Sequence, residues 1–196
     1  NDNNESIMNI YRVVRDNVEE LTSIMDDYSA GFLALDKEAR KAFYYRLREK
    51  HAYEYADWPT TQEATALYFL MKTGFNGIWQ INKNTNNRFG TPSGLLNQKD
   101  KVYDKENVRE WNKALKYTSL SSRDFRSTPA HITDNSFVFL DPPYRGSFTQ
   151  YGVDFDDKLQ ESVITHLNSL TARGAYAMMS NRDVGDGFFE ARQGKN

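Results

Sequence analysis

Ser136-Phe137-Val138-Phe139-Leu140-Asp141-Pro142-Pro143-Tyr144 joins a short apolar run to a stiff polar loop. Its first five residues have the length and composition of a buried strand. The tetrapeptide that follows then lies at the strand's C-terminal end, where open α/β sheets bind their ligands. Two consecutive prolines set φ and remove two N–H donors, so the carbonyls there point outward in a rigid arrangement. Asp141 adds a carboxylate acceptor and Tyr144 a flat aromatic face. Acceptors beside an aromatic plate suit an exocyclic amino group on a planar base, hydrogen-bonded and stacked at once.

The composition limits what surrounds this loop. The 196 residues allow one domain, or one domain with a small insertion. The formal net charge of -2 means that any nucleic-acid surface is a local patch. No cysteine is present, which excludes disulfides, thiolate metal sites and cysteine nucleophiles. His51, His131 and His166 are far apart and have no metal-ligand spacing, so no metal is expected. No apolar stretch reaches membrane-spanning length and the N-terminus lacks signal-peptide character, which predicts a soluble, intracellular chain away from membranes.

Ile7, Ile10, Tyr11, Val14, Val18 and Leu21 have helical spacing and predict a helix from Glu5 to Leu21, capped by Asn4 or Asn3. A second helix is expected over Lys37 to Glu49, with Phe43, Tyr44 and Leu47 inward. Its basic residues Arg40, Lys41, Arg46, Arg48 and Lys50 read as a solvated face or, less simply, as a DNA-facing one. A third runs from Thr60 to Met71, capped by Thr60 or Thr61 and stopped by Gly74. Asn76-Gly77 signals a turn, and the polar stretch from Ile78 to Gly94 predicts an exposed hairpin or long loop. Asp104 caps a helix through Leu115; Lys116 to Leu120 reads as a strand followed by a loop over Ser121 to Phe125. After the Asp-Pro-Pro-Tyr loop, Asp156 or Asp157 caps a helix ending near Arg173-Gly174, with Leu159, Val163, Ile164, Leu167 and Leu170 as core positions. Ala175 to Met179 makes another buried strand. The sum is an α/β core with a mostly helical insertion.

Six stretches, in order, resemble the Dam-type (D12-class) DNA adenine-N6 methyltransferases. They are Asn1-Asp2-Asn3-Asn4, Gly74-Phe75-Asn76-Gly77, Thr91-Pro92-Ser93-Gly94, Asp141-Pro142-Pro143-Tyr144, Phe148-Thr149-Gln150-Tyr151 with Phe155, and Ser180-Asn181. The resemblance implies a Rossmann-like, doubly wound sheet binding S-adenosylmethionine, with a target-recognition insertion carrying a hairpin. It implies a catalytic core of residues 1–20 and 113–196 around an insertion of residues 21–112. Asp141, Pro142, Pro143 and Tyr144 would be catalytic, with Asp141 also near the cofactor. Asp2 would sit on the cofactor's ribose hydroxyls, and Asp124 and Phe125 at its adenine. Read alone, Asp2 is a residue preceding a helix, and Asp124 and Phe125 are a loop aspartate and a core aromatic. Asn76, Gln80 and Asn82 would read DNA, with Lys83 and Arg88 on phosphates. Phe75, Pro92 and Tyr151 complete the DNA-facing set; Phe75, Tyr151 and Phe148 serve equally as packing residues. The implied partner is double-stranded DNA, and the implied protein a monomer of the bacterial or phage cytoplasm.

Departures from the family pattern matter as well. The Phe-x-Gly-x-Gly loop that contacts the cofactor's methionine end would precede Asn1, and the last strands would follow Asn196. A fragment with weak cofactor binding and little turnover is therefore expected. Gln80 stands where GATC-reading relatives have arginine, and glutamine suits adenine where arginine suits guanine. Gly90 stands where the family has Asn, so GATC is not assumed as the target. Two other classes stay open: an amino-methyltransferase acting on RNA adenine, cytosine N4 or a protein glutamine, and a non-catalytic nucleic-acid-binding module. By the resemblance, Asp rather than Ser or Asn at the head of the tetrapeptide argues against the cytosine and glutamine versions and leaves RNA open.

Overall fold

The computed structural model describes residues 1–94, 100–127, 132–146 and 155–192. The chain is mixed α/β and divides into two compact units, Asn1–Arg123 and Asp124–Asn196.

The first unit is a helical assembly with a hairpin. Helix α1 (Glu5–Asp16) starts where Asn4, in extended conformation, accepts a hydrogen bond from the Ile7 N–H at 3.1 Å. The helix expected to run on to Leu21 instead breaks at Asn17, whose φ of -136° and ψ of 40° leave the helical region. Asparagine offers the chain side-chain hydrogen bonds that compete with a helical ladder; here its amide donates to the Thr61 hydroxyl at 3.4 Å. Helix α2 (Val18–Leu33) follows at once, with Leu21, Met25 and Phe32 buried. Helix α3 (Lys37–Glu54), capped by Asp36, runs five residues beyond the expected Glu49 and buries Tyr44, Leu47, His51 and Ala52.

Helix α4 (Thr60–Thr73) is the centre of this unit, with Glu63, Ala64, Thr65, Ala66 and Leu67 all buried in succession. A helical stretch buried at five consecutive positions must be covered on all sides, and α1, α2 and α3 pack against the helix. Its cap position is Pro59, with no side-chain cap, rather than Thr60 or Thr61. The Thr61 carbonyl instead accepts the Thr65 hydroxyl one turn on. Phe32, Phe43 and Phe69 meet edge to face at 5.5–6.0 Å in the core. Helix α5 (Lys105–Leu115), capped by Asp104, buries Val108 and sets Trp111 against Tyr11.

One expectation changes here and another is met. Lys116 to Leu120 is not a strand: the Thr118 N–H returns to the Leu115 carbonyl at 2.9 Å, a turn that closes α5. The hairpin is real but short, pairing β1 (Ile81–Asn82) with β2 (Arg88–Phe89) antiparallel. Asn86 and Asn87, both at φ 54°, make the turn region, a conformation that asparagine tolerates. At the base, the Phe75 N–H donates to the Pro92 carbonyl and the Gly94 N–H to the Thr73 carbonyl.

The second unit is a β-α-β arrangement. β3 (Phe137–Leu140) and β4 (Tyr176–Met179) are parallel, joined through α6 (Asp157–Ala172), and Leu140 faces Met179. Asp156 caps α6, and Gly174 ends it at φ 87°, the left-handed position that glycine takes after a helix. Val163, Ile164 and Leu170 are buried as expected, while Leu159 and Leu167 are half-buried. The strands are not buried on both faces, as their composition suggested. Phe137, Phe139, Tyr176 and Met178 are exposed at 65%, 51%, 73% and 53%, because side chains alternate along a strand and α6 covers a single side. Among the described residues, no helix is long and apolar enough to cross a membrane.

Candidate active site and nucleic-acid interface

In-register parallel pairing carries two loops to the same end of the small sheet. One is Asp141–Tyr144 after β3, the other Ser180-Asn181 after β4, and the Ser180 N–H donates to the Leu140 carbonyl at 3.0 Å. The Ser180 hydroxyl donates to Asp141 Oδ1. The Pro143 carbonyl accepts from Gln160 Nε2 at 2.8 Å. Asn181 Oδ1 accepts from the Arg145 and Arg182 N–H groups at 2.9 and 2.8 Å, and its Nδ2 donates to Gln160 Oε1 at 2.8 Å. Among the described residues, no donor reaches Asp141 Oδ2 or the Pro142 carbonyl, and the Tyr144 ring is 41% exposed. Two open acceptors beside an aromatic face are thus presented on a loop held from behind.

Arg145 anchors the loop's far side. Its guanidinium bonds to Asp157 at 2.7 and 2.8 Å and to Asp186 at 2.7 and 2.6 Å, and lies 4.0 Å from the centre of the Phe188 ring. Asp157 and then Asp186 push the Arg145 pKa up, and Arg145 pulls both carboxyls down.

Asp124 and Phe125 belong to the same unit as Asp141. The Asp124 carboxylate takes the Arg126 guanidinium with two contacts of 2.7 Å and the Arg126 N–H at 2.9 Å. Those bonds hold its pKa down at about 2. Phe125 stands edge-on to His166, with ring centres 5.7 Å apart. Burial, and then Arg173, push the His166 pKa down. Phe125 keeps an apolar ring beside a carboxylate, a pairing that fits an adenine ring, but Arg126 already engages that carboxylate.

Asp2 lies in the other unit. Its carboxylate accepts the Asn4 N–H at 2.7 Å, and its own N–H donates to the Ser121 carbonyl at 3.3 Å. Asn1 completes that seam through Ser121 and Arg123.

The hairpin residues separate into two groups. Phe75, Asn76, Lys83 and Pro92 are exposed, with Phe75 bonded to Pro92 through the backbone. Gln80 and Asn82 are half-buried, and Asn82 Oδ1 accepts the Asn84 N–H at 2.8 Å. Arg88, expected on a phosphate, is turned inward. Its Nη2 reaches Ser6 Oγ at 3.0 Å and Glu63 Oε1 at 3.4 Å, and its guanidinium lies 3.2 Å from the Tyr55 ring centre. Glu63 is itself held by His51 at 2.9 Å and Asn9 at 2.7 Å. A short strand packed on a helical unit leaves its long cation facing a buried carboxylate, and the pair satisfies both charges away from solvent. Tyr151, Phe148 and His131 lie outside the described residues.

Gln160 was not foreseen from the sequence, although a signal exists. It precedes Val163 and Ile164 by one turn, so a polar amide occupies an inward position of α6. Among the described residues, no group of three or more His, Asp or Glu side chains could hold a metal ion.

Comparison with known proteins adds an independent line. A family model described as D12 class N6 adenine-specific DNA methyltransferase matches residues 1–192. The type II methyltransferase M.MjaIII of Methanocaldococcus jannaschii is 34% identical over 201 residues, covering 100% of this chain and 68% of that protein. The type II methyltransferase M1.LlaDCHI of Lactococcus lactis subsp. cremoris is 27% identical over 192 residues, 92% of this chain and 63% of its own length. The retron Ec67 DNA adenine methylase of Escherichia coli is 24% identical over 186 residues, with 93% and 61% covered. The chain therefore spans somewhat under two thirds of two of these relatives and 68% of the other.

Proposed function

The chain belongs to the D12 class of N6 adenine-specific DNA methyltransferases, and from that membership we propose that its Asp-Pro-Pro-Tyr loop methylates N6 of an adenine turned out of duplex DNA. The observation that carries this reading is the pair of open acceptors, Asp141 Oδ2 and the Pro142 carbonyl, beside the Tyr144 ring. Adenine's N6 carries two protons, and two acceptors match two donors.

Duplex DNA hides N6 in the base pair, and turning the base out costs a few kcal/mol. Tyr144 offers a stacking face that offsets part of that cost. Asp141 and the Pro142 carbonyl accept from the amino group and draw its lone pair out of conjugation with the ring. S-adenosylmethionine, when bound, supplies a methyl group on a sulfonium that leaves as a neutral thioether. Attack of the N6 lone pair on that methyl carbon would release the thioether, and Asp141 would pass the surplus N6 proton along its hydrogen bond to solvent. The chain's contribution is alignment, and aligned reactants gain roughly 7–11 kcal/mol. Phe125 would face the cofactor's adenine, Asp124 would have to give up Arg126 to bond to it, and Asp2 would take the ribose hydroxyls, with residues 1–20 and 113–196 as a doubly wound core. Residues 21–112 would be the recognition insertion. There, Asn76, Gln80 and Asn82 would meet base edges and Lys83 a phosphate, with Pro92 facing the DNA and Phe75 supporting the turned-out base or filling its vacancy.

The test is transfer of a radiolabelled methyl group to unmethylated duplex DNA by the intact protein that carries this chain. Label in N6-methyladenine, abolished by Asp141→Ala and by Tyr144→Ala in folded protein, is expected. Label in cytosine, or transfer that survives Asp141→Ala, would overturn the reading.

A further inference from the structure

We propose that Gln160 is a positioning residue for methyl transfer, setting the placement of Tyr144 and leaving the Pro142 carbonyl free for substrate. The proposal rests on the assignment of the Asp-Pro-Pro-Tyr loop as the site of transfer. Gln160 is 1% exposed, and a buried amide is costly unless its donor and acceptor are both used. Both are used, and both on the loop's support: Nε2 on the Pro143 carbonyl and Oε1 on Asn181 Nδ2, each at 2.8 Å.

The orientation of the two amides follows from the backbone. Asn181 Oδ1 receives two N–H groups, those of Arg145 and Arg182. That end must therefore be the oxygen, so Nδ2 faces Gln160. Gln160 must answer with Oε1, which turns Nε2 to the Pro143 carbonyl. A flip of either amide would set donor against donor. The chain of bonds thus grips Tyr144 on both sides, by the carbonyl of the residue before it and the N–H of the residue after it. Pro142 and Pro143 have no N–H, so this part of the loop cannot be tied down through its own donors. Donors have to come from outside, and Gln160 supplies one. It takes the Pro143 carbonyl, and among the described residues the Pro142 carbonyl stays an open acceptor.

The test uses Gln160→Met and Gln160→Glu in the intact protein. Methionine matches glutamine in length but has no donor. Amide exchange at Tyr144 and Arg145 should speed up in Gln160→Met while α6 and β4 keep their protection. kcat and kcat/KM should fall together by about 10²-fold, the scale of a misplacement near 1 Å. Gln160→Glu keeps the acceptor toward Asn181 and puts a carboxylate against a carbonyl. Its kcat should be low at neutral pH and recover relative to wild type on acidification, as the carboxyl gains a donor proton. Cavity filling alone would produce no such profile. Wild-type exchange at Tyr144 and Arg145 in Gln160→Met, or wild-type kcat with loosened amides, overturns the proposal. If the wild-type protein transfers no methyl group, the functional reading fails; loosened amides in Gln160→Met would then still uphold Gln160 as the clamp of this loop, and unchanged ones would reject it.

Discussion

Asp141 carries two oxygens in different states: Oδ1 receives the Ser180 hydroxyl, and no described group donates to Oδ2. A carboxylate tethered at one oxygen presents the other in a set direction, so Ser180 contributes by orientation. Ser180→Ala should lower methyl transfer roughly tenfold with DNA affinity little changed, since a hydrogen bond to a charged group on an exposed loop is worth the lower part of its usual range. Single-turnover kinetics would check this, and an unchanged rate would assign Ser180 to packing alone. His166 gives a prediction with a sign. Its pKa lies below the ordinary histidine value through burial, so the fold favours the neutral ring. The unfolded chain takes up the proton first, and the contribution of His166, full above pH 6.5 or so, is lost as pH falls toward its folded pKa. Urea midpoints should therefore drop between pH 7 and 5.5, and less steeply in His166→Gln. Asp124 works in a lower window: held at about 2, it loses its contribution as pH falls from 3.8 toward that value. Residue identity alone marked Asp-Pro-Pro-Tyr as a stiff loop carrying a carboxylate and an aromatic face, because these residues act through local geometry. It could not reveal that Glu63 occupies Arg88, which is a matter of tertiary packing, whereas Arg126 lies two residues from Asp124 and its pairing is local.

The hairpin shows the same division at the level of elements. Asn-Gly and Asn-Asn announce turns through their tolerance of positive φ, and both lie there in the structure. What holds the hairpin to the helices was not legible. Arg88 of β2 enters a buried cluster with Glu63 of α4 and His51 of α3, and Arg48 of α3 donates to the Gly90 and Thr91 carbonyls at 2.9 and 3.0 Å. Glu63→Leu would strand the Arg88 cation, which is 17% exposed along its side chain, and should cost about 3–5 kcal/mol of stability by urea unfolding. A loss below 1 kcal/mol or so would mean that Arg88 escapes to solvent with little penalty. Gly90 has a steric reason to depart from the family's Asn: a Cβ there would lie 2.3 Å from Asn82 Cβ. Among the helices, caps at Asn4, Asp36, Asp104 and Asp156 are local and could be read from the sequence, although Asp36 was overlooked. The spacing of Leu21, Met25 and Phe32 also marks α2, but the apolar stripe of α1 runs smoothly into it. Only the backbone at Asn17 separates them. Lys116 to Leu120 has strand-like residues but pairs with no strand among the described residues, and the turn at the end of α5 decides its course.

At the level of the whole molecule, the two units differ in how completely they cover their apolar surface. The helical unit surrounds α4 and seals Phe32, Tyr44, Phe69 and Phe89, leaving Tyr53, Phe75 and Tyr117 exposed singly. The β-α-β unit leaves Phe137, Phe139, Tyr176 and Met178 open on one face, whereas parallel sheets are ordinarily covered on both. The sequence signalled apolar strands correctly, but an apolar run cannot say how many of its faces this chain itself covers. A patch of four large side chains should bind an apolar dye and promote association. Phe139→Thr with Tyr176→Thr should reduce dye fluorescence and concentration-dependent association of the 196-residue chain. Both positions are exposed, and threonine keeps β-branched strand preference, so the stability of the chain should change by no more than about 0.5 kcal/mol per site. Dye titration, sedimentation and urea unfolding on the same samples separate the possibilities. A fall in dye binding at constant stability means that the face is open in solution. A stability loss above roughly 1.5 kcal/mol, the scale of removing a buried large side chain, would mean that the chain covers this face after all, and the strands would then be buried on both sides as their composition first suggested.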